Sequence, residues 1–288
     1  MKTSLDCIPC FLRQALDVAR MASADVAVHE RIVREVLQWT SEMDFEQSPP
    51  LLGQRIHRRL REITGVEDPY QTAKKCHNGL AMNLLSELES AIEAASDPLM
   101  MAVRLAIAGN IIDMGVNSSF REPDLRRSID QALAEPFTGD QDAFRQVVAD
   151  ARNILYLADN AGEIVFDRLL IEQLSPERIT LAVRGAPVIN DATMADVQAL
   201  KLHEVVKVID NGSDAPGTVL ADCSGDFKRH FTKADLILAK GQGNFETLSD
   251  ENRNIYFLFK AKCPVIASHV GLPVGTHVLT QSRDRIPV

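Results

Sequence analysis

The sequence holds no apolar run approaching the roughly 18 consecutive residues that a membrane-spanning helix needs, so no segment reads as a span and no membrane partner is expected. It also lacks a basic run. With 31 Lys and Arg against 40 Asp and Glu, the net charge is −9, and a chain without a Lys/Arg stripe lacks the electrostatic footprint of a nucleic-acid binder. The first residues, MKTSLDCIPCFLRQALDVAR, are interrupted by Lys2, Asp6 and Arg13 and show no A-x-A pattern. They do not read as a secretory signal, and a cytoplasmic protein is expected. Five cysteines, an odd number in a long chain, argue against a disulfide scaffold. Nucleotide fingerprints are missing as well: there is no G-x-x-x-x-G-K-[ST], and GQGNFE supplies only the first two glycines of G-x-G-x-x-G. No H-x-x-x-H pair and no nucleophile elbow occur, which disfavours Ser-based hydrolysis; His269, in ASHVG, is expected to be a hydrogen-bonded structural residue.

What is present is an ordinary globular composition, 45% hydrophobic and 25% charged over 288 residues, enough for one large or two ordinary domains. Residues 1–150 show apolar positions at three- and four-residue spacing, as in FLRQALDVARMA and PLMMAVRLAIAGNIIDMG, and no strand patterns. From Asn153 the texture changes to short apolar runs alternating with helical patterns: NILYLA, RITLAV, HEVVKVI, DLILAK, IYFLF and CPVIA. Runs of this length without strict alternation suit parallel strands buried on both faces. The expected fold class is therefore α/β: an all-helical domain over 1–150, then a three-layer α/β/α Rossmann-like domain with a mostly parallel sheet over 151–288.

In such sheets ligands bind at the carboxyl ends of the strands. Four loops stand there: DNAGE (159–163), RGAPVINDAT (184–193), DNGSDAPG (210–217) and KGQGNFE (240–246). Any single loop is explained by helix capping and tight turns, but four together point to a site. Asp159, Asn160 and Asp191 offer the oxygen ligands a hard divalent cation prefers. Lys240 would add positive charge opposite an anion, and Gly241 and Gly243 would let backbone N–H groups approach phosphate. An aspartyl nucleophile at Asp159 is an alternative, although a metal-activated water is simpler if that residue is already a ligand. Glu163 and Glu246 sit in first helical turns, where complementing the helix dipole is the plainer role. Cys7 and Cys10 form C-x-x-C, and Cys76 stands beside His77. These three thiols admit a second metal or structural site, buried packing or redox chemistry. Cys223 and Cys263 read as packing residues.

Taken in order, LDCIPCFLRQAL, AGNIIDMG, DNAGEIVFDRLL, RGAPVINDAT, KGQGNFE and KCPVIASHVG resemble the DUF89 family of damage-control metal-dependent phosphatases, in particular its microbial CxxC-bearing branch. The resemblance spans almost the whole chain. It implies a helical domain joined to a three-layer α/β/α domain. It also implies a divalent metal (Mg, Mn, Co or Ni) held by Asp159, Asn160 and Asp191, and hydrolysis of small phosphate monoesters such as sugar phosphates. Lys240 matches the family's phosphate-side lysine; Asn110, with Gly241, Gly243 and Asn244, lies in motifs implied to reach substrate. Two other classes stay open: a methyltransferase using S-adenosylmethionine, and a non-catalytic CxxC metal or redox module. Arg13, Arg55, Arg58 and Lys74 are candidates for substrate contact from the helical half.

Overall fold

The computed structural model describes residues 1–109, 122–135 and 137–282; Asn110 lies outside them. The chain opens with α1 (Cys7–Ala22), α2 (Val26–Ser41) and α3 (Pro49–Thr64). Phe11, Ala15, Val18 and Ala19 recur at helical spacing and meet Ile32, Val36, Ile56 and Leu60, so these three helices close a core of their own. Asp25 starts α2 by accepting from the Ala27 N–H, and Pro49 and Pro50 start α3, where no intrahelical N–H is needed.

Next come α4 (Gln71–Glu93), α5 (Pro98–Ala108), α6 (Glu122–Ala134), β1 (Phe137–Thr138) and α7 (Gln141–Asp150). Strand and helix then alternate through β2 (Ile154–Leu157), α8 (Glu163–Gln173), β3 (Ile179–Val183), α9 (Met194–Ala199), β4 (Lys207–Asp210) and α10 (Gly225–Lys233). The run continues through β5 (Leu236–Lys240), α11 (Gln242–Leu248), β6 (Ile255–Lys260), α12 (Pro264–Val270) and β7 (His277–Gln281). Among the described residues these strands form one sheet in the order β1-β7-β6-β5-β2-β3-β4, parallel except where β6 meets β7.

Period-two alternation distributes the side chains to both faces. Ile154, Tyr156, Leu236, Leu238 and Leu258 enter a core shared with α4, α5 and α8, while Leu155, Leu157, Ile237, Phe257 and Phe259 meet Phe227, Phe245 and Ile266 from α10, α11 and α12. The helices from α4 to α7 thus share the sheet's core, whereas α1 to α3 form a separately cored layer. No helix among the described residues is long and apolar enough to cross a membrane.

Two local expectations are corrected. CPVIA is not a strand but the start of α12: Pro264 occupies the first helical turn, where its missing N–H costs nothing, and Gly271 ends the helix in left-handed conformation. The sheet instead gains β7, which runs antiparallel to β6, and the two-residue β1 within the otherwise helical half.

The α1–α3 layer is tied to the carboxyl edge of the sheet through Asp214. Arg58 donates to it through Nε and Nη2 (2.9 and 2.5 Å), Gln54 Nε2 donates at 2.7 Å, and Arg61 pairs with it from a second side. Burial pushes the Asp214 carboxyl up, yet these donors and charges outweigh it and hold the group below the usual carboxylate range. Asp214→Ala leaves Arg61 without its carboxylate partner and Gln54 with Asp222 alone, and is expected to cost about 2–3 kcal/mol at pH 7, read as a lower urea midpoint. A change below about 0.5 kcal/mol, the level of an ordinary surface substitution, would show that this clamp does not secure the layer.

Candidate active site

Winding reverses at β2, which has β3 on one side and β5 on the other. An open parallel sheet forms a crevice at such a point, outside the strand carboxyl ends. Asp159 and Asn160 leave β2 there. The loop after β3 folds back along them: Ala161 N–H donates to the Asn190 carbonyl (2.9 Å), Ala192 N–H to that of Asp159 (2.8 Å), and Arg184 N–H to that of Ala192 (2.9 Å). Asn160 and Asp191 consequently face each other across a single antiparallel bridge. The three candidate cation ligands are brought to one place by backbone pairing rather than by side-chain reach.

Side chains then fix their orientation. Asn160 Nδ2 donates to Asp159 Oδ2 (2.9 Å) and Glu163 Oε2 (3.0 Å), which spends both of its N–H groups and leaves its carbonyl oxygen for another partner. Arg184 Nε donates to Asp191 Oδ2 (2.6 Å), and its Nη2 lies 3.7 Å from Asp159 Oδ1. Gly241 has φ +78°, and a Cβ added there would overlap the Asp159 carboxylate, so only glycine satisfies both demands. The Gly241 N–H donates to the Leu258 carbonyl (3.0 Å) rather than standing ready for a phosphate. At Gly243, which lines the cleft, an added Cβ would overlap the Pro216 carbonyl.

Lys240 departs from expectation. Its ammonium is fully buried and donates to Glu163 Oε1 (2.5 Å), Asp167 Oδ1 (2.8 Å) and the Ala106 carbonyl (2.8 Å), which uses all three protons. Burial alone would lower its pKa; Asp167 and Glu163 outweigh that and raise it, so it is a permanent cation behind the site and does not line the cleft. Burial likewise pushes Asp167 up, to about 6, against the pull of Lys240, and Tyr156 Oη donates to it at 2.7 Å. Asn244 is equally committed: its Nδ2 donates to the Lys240 and Ala158 carbonyls (2.7 and 3.2 Å), and its Oδ1 accepts from Thr218 Oγ1 (2.7 Å) and Arg184 Nη1 (3.3 Å). It staples the ends of β2 and β5 rather than facing a substrate.

The chemistry of the donor set fits a divalent cation. Four buried carboxylates, Asp159, Glu163, Asp167 and Asp191, face two buried basic groups, Arg184 and Lys240. Burial, then the neighbouring Glu163 and Asp191, push Asp159 well above the usual carboxylate range, against the pull of Arg184 and Lys262. Two carboxylates and one amide oxygen, with positions left for water and substrate, is a hard-cation set. Among the described residues no trio of His, Cys, Asp or Glu could hold a metal, so the Cys7, Cys10 and Cys76 grouping is not assembled: Cys76 is exposed on α4, whereas Cys7 and Cys10 line the cleft with Cys263. Burial raises the Cys7 and Cys10 thiols, which keeps them protonated rather than nucleophilic.

Above the acids lies a cavity of about 460 Å³, lined by Asp159, Asn160, Asn190 and Asp191 and, across from them, by Phe11 and Gln14 of α1 and Pro49 and Gly53 of α3. Lys262 and Glu246 also line it. The basic residues expected from the helical half do not: Arg13 is exposed, Arg55 stacks on Trp39 (4.1 Å to the ring centroid), Arg58 belongs to the Asp214 clamp, and Lys74 is buried between Asp68 and Asp196 (3.2 and 3.0 Å). His269 meets Phe245 edge-on at 5.6 Å and does not line the cleft. Sequence reasoning did not single out Arg184, Asp167, Asn190 or Lys262. Arg184 stood in view as the residue that ends β3, but nothing local announces that it reaches Asp191 and Asn244.

A model of the damage-control phosphatase ARMT1-like domain matches residues 3–278. A protein of Pyrococcus horikoshii described as a damage-control phosphatase is 33% identical over 99% of this chain and 100% of its own length. One from Archaeoglobus fulgidus, described in the same words, is 34% identical over 96% of this chain and 98% of its own. The crystal structure of a DUF89 family protein from Pyrococcus horikoshii superposes with a TM-score of 0.89 at 33% identity, covering 98% of this chain and 100% of the other.

The buried Lys240 cluster yields a pH test. Lys240→Met removes the counter-charge of Glu163 and Asp167 and is expected to cost about 3–5 kcal/mol at pH 8. Without that cation the Asp167 carboxyl, already pushed up to about 6 by burial, rises further, so the folded variant binds more protons than the unfolded chain at mildly acid pH. The loss should therefore shrink between pH 8 and pH 5.5. Urea midpoints of variant and wild type at both pH values decide it, and a loss independent of pH would contradict this role for Lys240.

Proposed function

Because the chain belongs to the damage-control phosphatase ARMT1-like family, we propose that it is a metal-dependent phosphatase acting on small phosphate monoesters, sugar phosphates among them. The observation that carries this reading is the convergence of Asp159, Asn160 and Asp191 at a cavity able to hold a small organic phosphate. A divalent cation there (Mg, Mn, Co or Ni) would supply Lewis acidity toward a phosphoryl oxygen and the attacking water.

The chain's own groups carry the rest. Asp159 and Asp191 would hold the cation and orient the water. Glu163 holds the Asn160 amide so that its carbonyl oxygen serves as ligand. Arg184 holds the Asp191 carboxylate in its orientation. Lys262 places positive charge on the cleft wall, the role expected of Lys240, and so meets the charge that spreads over the transferring phosphoryl group. Glu246 lines the same cleft and is pushed up to about 7 by burial, so near neutral pH it holds a proton for the leaving oxygen.

Phosphate release from a panel of monoesters, with each of Mg²⁺, Mn²⁺, Co²⁺ and Ni²⁺ and after chelation, tests the reading. Hydrolysis should require added metal and fall about a hundredfold or more in Asp159→Ala. Turnover that survives chelation, or that Asp159→Ala retains, would sink it.

A further inference from the structure

Among the described residues, Asn190 is the one side chain lining the cleft whose amide is both fully buried, at 1% exposure, and without a hydrogen-bond partner at either Nδ2 or Oδ1. Buried amides are ordinarily satisfied, and an unpaired one facing a cavity marks a place where a ligand completes the bonding. The chain holds it there by force. Ile189, a β-branched residue, has φ +43° and packs against the α1–α3 core, while Arg61 Nη1 donates to the Pro187 carbonyl at 2.7 Å. The residue between this anchor and Asp191 has little freedom to turn its amide elsewhere.

The chemistry of an amide selects the ligand. A phosphate dianion accepts hydrogen bonds and would use Nδ2 while opposing Oδ1. A cation would use Oδ1 and leave Nδ2 orphaned. A hydroxyl both donates and accepts, and two vicinal hydroxyls satisfy both atoms at once. Resting on the phosphatase reading, we propose that Asn190 is a specificity-determining residue that binds a vicinal hydroxyl pair on the organic part of the ester, next to the phosphate bound at Asp159, Asn160 and Asp191.

Two non-hydrolysable phosphonates separate this from the hydrolytic reading. Calorimetry with Mn²⁺ present would compare 3,4-dihydroxybutylphosphonate, which carries the diol, with butylphosphonate, which does not. Wild type should bind the diol about tenfold or more tightly, and Asn190→Ala should bring the ratio close to one while the Mn²⁺ dissociation constant stays within about threefold. Asn190→Ser serves if the alanine variant does not fold. A wild type without preference, or a ratio that either variant leaves unchanged, overturns the proposal. So does loss of Mn²⁺ affinity with both phosphonates weakened alike, since Asn190 would then serve the cation. Absence of metal-dependent phosphate release from wild type would sink the phosphatase reading alone, because the diol preference is read without turnover.

Discussion

A lysine sealed inside the protein organises this site. Lys240 closes β5 and gives its three protons to the Ala106 carbonyl of α5 and to Glu163 and Asp167 of α8. Glu163 in turn holds Asn160, Asn160 holds Asp159, and Asp159 lies against Gly241, the residue after Lys240. The chain of contacts is a ring that begins and ends on consecutive residues. A buried ammonium and carboxylates are expensive to desolvate and persist only where geometry and further hydrogen bonds compensate. Here the ring closes strand, helix and loop upon one another, so the ligand positions are set by the core rather than by mobile side chains.

The same electrostatics divide the site into layers. Lys240 and Arg184 stand behind the acids, Lys240 with all three protons donated and Arg184 bound to Asp191 through Nε. Asp159, Asn160 and Asp191 stand between those cations and the cleft, and Lys262 lines the cleft itself. Positive charge on both sides of the acidic layer opposes the protonation that burial and mutual repulsion favour at Asp159. Asn244 contributes no charge, yet by bonding the Lys240 and Ala158 carbonyls and Arg184 together it holds the layers in register.

Much of this was legible in the sequence, for identifiable reasons. Fully buried strands such as LILAK and ITLAV, and strand-end acids such as Asp159, announce themselves locally, and the carboxyl-edge rule then confines the search. CPVIA misled because an apolar run of that length suits a strand or a buried helix equally, and Pro264 decides between them only once its position in the first turn is seen. Lys240 misled for a deeper reason. Whether a lysine at a strand end faces the cleft or the core depends on what α5 and α8 bring to it, and Glu163 and Asp167 lie on a helix whose packing no local pattern specifies. The fold-back that sets Asp191 against Asn160 is likewise a property of backbone pairing between distant segments.

The cleft has two walls of different origin. The acids belong to loops rooted in the sheet's core, whereas Phe11, Gln14 and Pro49 belong to helices with a core of their own, tied on through Asp214 and the Pro187 carbonyl. Ile189 is where the two bodies meet: its side chain packs into the helical core while its neighbours in the chain, Asn190 and Asp191, face the acids. A strained residue held by packing on one side and by backbone pairing on the other couples the two. The helical layer thus bears on Asn190 through Ile189, while the ring through Lys240 ties Asp159 and Asn160 to the sheet's core. In the proposed reading the acids are rooted in the sheet's core, whereas the residue facing the organic part of the ester is held by the helical layer as well.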